Sequence, residues 1–182
     1  MNASVLRWVL MAASAIVVIL GVALAVVSLA GLGLIDQIVA GEADAAEVTG
    51  YDDLWQRILG GIVIVGLVEA VLRNRWTTAW LGLEDVERSA RRAEAVWRIQ
   101  RRPPTDQRLL SLSTVFSWIG LAGIGIAIGV SLIGEDATML RLSYIGKAIG
   151  GLGIAASSAV FAALVLRNPE FEPPPAARRP PA

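Results

Sequence analysis

Neither cysteine nor histidine occurs anywhere in this chain. Disulfides, thiolate chemistry, iron–sulfur clusters and histidine-ligated haem, chlorophyll or zinc are thereby excluded from within it. Ser-His and Cys-His nucleophilic dyads go with them. Proline is missing from every long apolar run: all eight prolines (103, 104, 169, 173, 174, 175, 180 and 181) lie elsewhere. Nothing therefore breaks the i→i−4 hydrogen-bond ladder within those runs, and unkinked helices are expected. Net charge is absent as well, sixteen basic residues balancing sixteen acidic ones, so the whole protein makes no case for nucleic acid. Charge of either sign is scarce at 18%, against 55% hydrophobic residues and a mean hydropathy of +0.61. A soluble domain of 182 residues needs a more polar surface than that. No phosphate-cradling glycine loop follows a strand and no pair of catalytic carboxylates stands out. Neither an enzyme nor a bound cofactor or metal is expected.

What is present is four apolar runs. Trp8 to Ile35 is twenty-eight residues without a charge, where a bilayer core needs roughly 20 of helix. That is far longer than the roughly 7–15 apolar residues of a signal peptide, and the run reads as a retained anchor. Leu54 to Leu72 follows, with Arg57 near its start and Glu69 near its end; then Leu109 to Ile133 without a charge, and Leu142 to Leu166 with Lys147 alone. The expected fold class is an all-α integral membrane protein of four transmembrane helices, one domain over 1–168.

The connections set the orientation. Residues 36–53 carry six acids and no base, whereas residues 73–108 carry nine arginines against five acids. Under the positive-inside rule the Arg-rich segment is cytoplasmic, so both termini are too, in the plasma membrane, with the acidic loop outside. Trp8, Trp55, Trp76 and Trp80 fall near span ends, where an aromatic belt should sit. Within the basic segment Leu83, Val86, Ala90, Ala93 and Trp97 recur at helical spacing, which predicts an amphipathic surface helix over 79–100. Glu84–Arg88, Glu87–Arg91 and Glu94–Arg98 are acid-to-base pairs at i,i+4. Pro103-Pro104 ends that helix, and Thr105 or Asp106 is placed to cap the next. The arginines at 88–102 suit anionic lipid headgroups. Four acids on the same helix, with Trp97 the one stacking candidate, argue against nucleic acid. The tail, 169–182, is Pro-, Ala- and Arg-rich with almost nothing to bury, and disorder is expected there.

Arg57-Ile-Leu-Gly-Gly in span two resembles Lys147-Ala-Ile-Gly-Gly in span four, and Leu-Arg-Asn ends both, at 72–74 and 166–168. Duplication of a hairpin would give this pattern, and so would chance among apolar helices with basic ends.

Small residues are the strongest local signal. Gly146, Gly150, Gly153 and Ser157 make a stripe on span four, Gly125 and Gly129 continue from Ala122 on span three, and Gly21, Ala25 and Ser28 mark span one. Helices in lipid gain nothing from the hydrophobic effect on associating, so close backbone contact matters more. These stripes are the candidate packing surfaces, within the bundle or toward another subunit. Three charged groups lie inside spans, of which Arg57, near a span end, can snorkel outward and the other two are the intramembrane candidates. Glu69 has Arg73 at i+4 to receive it near the basic end of its helix, and Lys147 sits about 7–8 Å inside its helix, within reach of snorkelling outward. The acids of the 36–53 loop do not follow Ca²⁺-loop spacing and read as a solvated spacer. The functional expectation is a non-catalytic accessory or scaffolding subunit of a larger membrane complex, with other membrane subunits as partners. The rival is a small oligomeric transporter or channel that uses Glu69 or Lys147.

Overall fold

The structure, a computed structural model, describes residues 3–43, 46–84, 86–87, 89–134 and 136–168. Five helices account for nearly all of them: α1 Ala3–Ala40, α2 Ala46–Trp80, α3 Arg91–Gln100, α4 Pro104–Ile133 and α5 Ala137–Arg167. Four of these are long and apolar enough to cross a membrane. Each is longer than the apolar run that announced it. The expected second span, 54–72, lies inside a helix of 35 residues. A charge ends an apolar run, yet it does not end a helix, because charged residues keep the backbone hydrogen bonds and have adequate helix propensity.

Glycine ends α1 and α2. Gly41 and Gly82 take positive φ, 79° and 66°. Beyond each the chain folds back: the amide of Glu42 donates to the Gln37 carbonyl and that of Leu83 to the Thr78 carbonyl, both at 2.8 Å. Bonds across three residues, from the Gly41 amide to the Ile38 carbonyl and from the Gly82 amide to the Ala79 carbonyl, complete a Schellman stop at each end. The expected surface helix over 79–100 is corrected by the second stop. Residues 79 and 80 belong to α2, the stretch from 81 to 90 is made of turns where described, and α3 begins only at Arg91. Its inward side is Ala95 and Ile99 rather than Ala93 and Trp97, and it packs with Val86 on the cluster of Leu6, Leu10, Trp76, Trp80 and Leu83. Of the expected i,i+4 pairs, Glu94–Arg98 forms at 2.7 Å, Arg91 donates instead to the Val86 carbonyl, and Arg88 lies outside the described residues. Pro103 precedes α4 with Pro104 in its first turn. Neither Thr105 nor Asp106 caps α4; Asp106 is buried and takes Arg167 at 3.4 Å. Asp136 caps α5, accepting from the Met139 amide at 2.8 Å. The expected disordered tail, 169–182, lies outside the described residues.

Backbones approach closely between α4 and α5, α1 and α5, and α1 and α2. The lateral order is thus α2, α1, α5, α4. Half of the most apolar stretch of α5 is buried and 39% of that of α1, against 17% for α4 and 11% for α2. So α1 and α5 form the centre and α2 and α4 flank it. A duplicated hairpin would make α5 the counterpart of α2, yet one is central and the other peripheral. One of the two matched glycine pairs differs as well: Gly150 packs on Ile124, whereas Gly60 faces open space, while Gly61 and Gly151 both turn toward α1.

The α4–α5 and α1–α5 contacts are backbone to backbone. A Cβ added at Gly123 would lie 2.5 Å from the Gly150 amide nitrogen, and one at Gly153 would lie 2.5 Å from that of Gly120. On another side of α5, a Cβ at Gly151 would stand 2.5 Å from the Gly21 carbonyl oxygen. Gly146, Gly150 and Gly153 thus face α4, and Gly151 with Ala155 faces α1. Gly125 and Gly129 are a correction. Both face open space, and α4 meets α5 through Gly120, Gly123 and Ala127 instead. Two small-residue phases share that helix, and its other one is the contact. The expected aromatic belt is corrected too. Trp8 is exposed, but Trp76 and Trp80 are each 1% exposed, stacked at 5.3 Å, with Phe161 edge-on to Trp76 at 5.7 Å.

Candidate functional site: two buried ionic clusters

Because the extensive backbone contact of α2 is with α1 among the described residues, its links to α4 and α5 are mainly side chains. Toward the basic end of the bundle these belong to Glu69 and Arg73. The two are four residues apart, so helix geometry pairs them before any tertiary contact exists. Arg73 Nη2 donates to Glu69 Oε1 at 2.7 Å and Nε donates to the same oxygen at 3.1 Å. Three other helices then close around the pair. Ser14 of α1 donates to Oε1 at 2.7 Å and Ser158 of α5 to Oε2 at 3.0 Å. Arg73 Nη1 donates to Ser157 at 3.1 Å and to Ser113 of α4 at 3.3 Å, while Nη2 also reaches Ser158 at 2.9 Å. Ser117 joins Ser157 at 2.7 Å, and the guanidinium lies 4.7 Å from the centre of the Phe161 ring.

Glu69 is 4% exposed, and this is an interior pair rather than one at a helix end. An isolated charge there would cost several kcal/mol. Pairing together with hydroxyl donors offsets that cost, and the network ties together all four long helices. Ser157 entered the sequence argument as a small residue and is in fact a hydrogen-bonding hub. Ser14, Ser113, Ser117 and Ser158 were missed. Their signal was serine inside otherwise apolar runs, where an interhelical hydrogen bond is the usual use of a hydroxyl.

Lys147 forms the second cluster, about 15 Å along α5 from Ser157 at 1.5 Å per residue. It does not snorkel outward. Its Nζ donates to Asp52 Oδ1 at 2.7 Å, and Lys147 is 6% exposed. Tyr144 donates to the same oxygen at 3.0 Å. The ammonium lies 4.6 Å from the Trp55 ring centre and 4.1 Å from that of Tyr144. Asp52 and Trp55, read from sequence as part of the acidic spacer and the aromatic belt, are both lysine partners. At the same end, Arg141 meets Asp36 at 2.6 Å.

Between α2 and α4 the bundle is not closed. A cavity of about 270 Å³ is lined by Gly66, Glu69, Arg73, Ser117 and Ser158, among others. Two more, of about 630 and 300 Å³, flank Asp52 at the acidic end. Among the described residues no three carboxylates converge as a metal site would need.

No family model, no curated protein and no solved structure matches this chain.

Proposed function

We propose that this chain is an integral membrane protein crossing the plasma membrane four times, a non-catalytic accessory or scaffolding subunit of a larger membrane assembly. On this reading both termini and the Arg-rich segment are cytoplasmic, and the arginines of 88–102 meet anionic lipid. The observation that carries it is the saturation of the Glu69–Arg73 pair. Both Glu69 oxygens accept, and each of the Arg73 nitrogens donates, within the bundle. Groups satisfied in this way position helices rather than react. The peripheral helices also keep large apolar side chains uncovered, such as Ile64, Leu67, Trp118 and Leu132. Lipid or the helices of other subunits would cover these surfaces.

A second reading, a small transporter or channel, draws on the open seam between α2 and α4, where Glu69 and Lys147 both border cavities. One pair of measurements separates the two. The double variant Glu69→Leu with Arg73→Met removes both charges at once, which is often tolerated by a well-packed interior. The scaffold reading expects it to keep the partners that co-purify with the wild type in mild detergent. The transport reading expects an assembled protein that has lost flux in reconstituted vesicles. Flux in the wild type that vanishes in an assembled double variant would overturn the scaffold.

A further inference from the structure

The acidic end of the bundle has a feature that a packing role does not use. The two cavities there lie on either side of Asp52 and share Asp52, Gln56 and Ser131 in their walls. The larger, about 630 Å³, has an apolar side that includes Ile35, Ile38, Val48 and Leu140. Among the described residues its charged lining is Asp52 and Asp53, with no basic residue. That volume is within the range of about 300–1,000 Å³ typical of small-molecule clefts. Asp53 takes part in no ion pair among the described residues, and Oδ1 of Asp52 accepts both of that residue's described hydrogen bonds.

Asp52 already takes a cation on the side of the smaller cavity. There Lys147 places an ammonium 2.7 Å from Asp52 and 4.6 and 4.1 Å from the Trp55 and Tyr144 rings. No aromatic residue is among the described lining of the larger cavity, so its selection of a cation rests on the two carboxylates and its selection of an apolar body on the aliphatic wall. Two carboxylates against one ammonium leave one net negative charge, which disfavours anions. The apolar wall gives a small hydrated metal ion nothing to contact and an apolar body a surface to bury.

We propose that this crevice binds a lipophilic organic monocation. Its charge lies toward Asp52 and Asp53, its apolar groups lie against Ile35, Ile38 and Leu140, and Lys147, in the wall of the smaller cavity, competes for Asp52. The site goes beyond the scaffold reading and does not depend on it, since the assay needs no partner subunit.

Radiolabelled tetraphenylphosphonium is the probe, measured by equilibrium binding to the purified full chain in a neutral maltoside detergent. Tetraphenylborate, of nearly the same shape and opposite charge, is the control probe, measured in a separate sample because the two ions pair with each other. Phosphonium binding should saturate and be displaced by unlabelled phosphonium, and the borate should show no saturable binding. Asp53→Asn removes the charge of an exposed, unpaired side chain and should weaken binding about tenfold, with helicity and elution volume unchanged. Lys147→Met frees Asp52 of its own cation and should tighten binding by a similar factor. If that variant does not fold, Asp53→Asn still decides. Uptake that only scales with detergent, equally tight saturable binding of the borate in its own sample, or unchanged affinity in a folded Asp53→Asn protein would each overturn the proposal.

Discussion

Glu69 and Arg73 show how position changes the worth of one contact. At a solvated helix surface an i,i+4 pair is worth about 0.3–0.5 kcal/mol. Here Glu69 is 4% exposed and its two oxygens accept from Ser14, Arg73 and Ser158. Glu69→Gln leaves the Arg73 guanidinium inside the bundle without its counter-ion, and removing one partner of a buried pair costs about 3–5 kcal/mol. Denaturation in mixed micelles should record a loss of that order. The double variant Glu69→Leu with Arg73→Met should lose much less, and an equal or larger loss would mean that the pair itself, not the stranded charge, holds the bundle. The sequence made Glu69 conspicuous as a carboxylate in an apolar run. Its serine partners were not legible, because they lie 55 and 89 residues away and an apolar helix carries no mark of which face turns inward.

That missing mark governs the helix scale as well. Four helices were readable as apolar runs, since length and hydropathy need no knowledge of neighbours. Which glycines touch was not readable. On α4, Gly120 and Gly123 meet α5, while Gly125 and Gly129 face open space. With apolar residues all round, nothing in composition chooses between the two phases. A pair of substitutions tests the assignment. In Gly123→Leu the new Cβ alone would stand 2.5 Å from the Gly150 amide nitrogen, a backbone atom that cannot rotate aside. Overpacking of this kind costs about 1–3 kcal/mol or more, so Gly123→Leu should destabilise the α4–α5 hairpin, while Gly125→Leu should leave the midpoint of unfolding unchanged. The reverse ranking would show α4 rotated from its described phase. Gly125→Leu carries a second use: loss of a co-purifying subunit from a stable Gly125→Leu protein would place that subunit on the open face of α4.

For the molecule as a whole, orientation turns on α2. It is the least apolar of the four long helices, with a hydropathy of 1.7 against 2.0–2.8 for the others. It carries Arg57, Glu69 and Arg73, and a single charge at the centre of a span costs about 2.5–3.5 kcal/mol on insertion. The charges sit toward the ends of the expected span, and the Glu69–Arg73 pair forms within one turn, so on the proposed reading α2 would present that pair to the bilayer as neutral overall. Residues on its two sides should then lie on opposite faces of the membrane. The chain has no cysteine, which makes single-cysteine labelling clean. Gly50 has open space around it and Ala93 is exposed on α3. On intact cells a membrane-impermeant maleimide should label Gly50→Cys, and it should label Ala93→Cys only after permeabilisation. The opposite pattern would invert the protein and leave four crossings in place. Labelling of both from outside is the more damaging result: Gly50 and Ala93 are separated by α2 alone among the long helices, so α2 would not cross. The Glu69–Arg73 network would then need a bundle that inserts as a preformed unit rather than helix by helix.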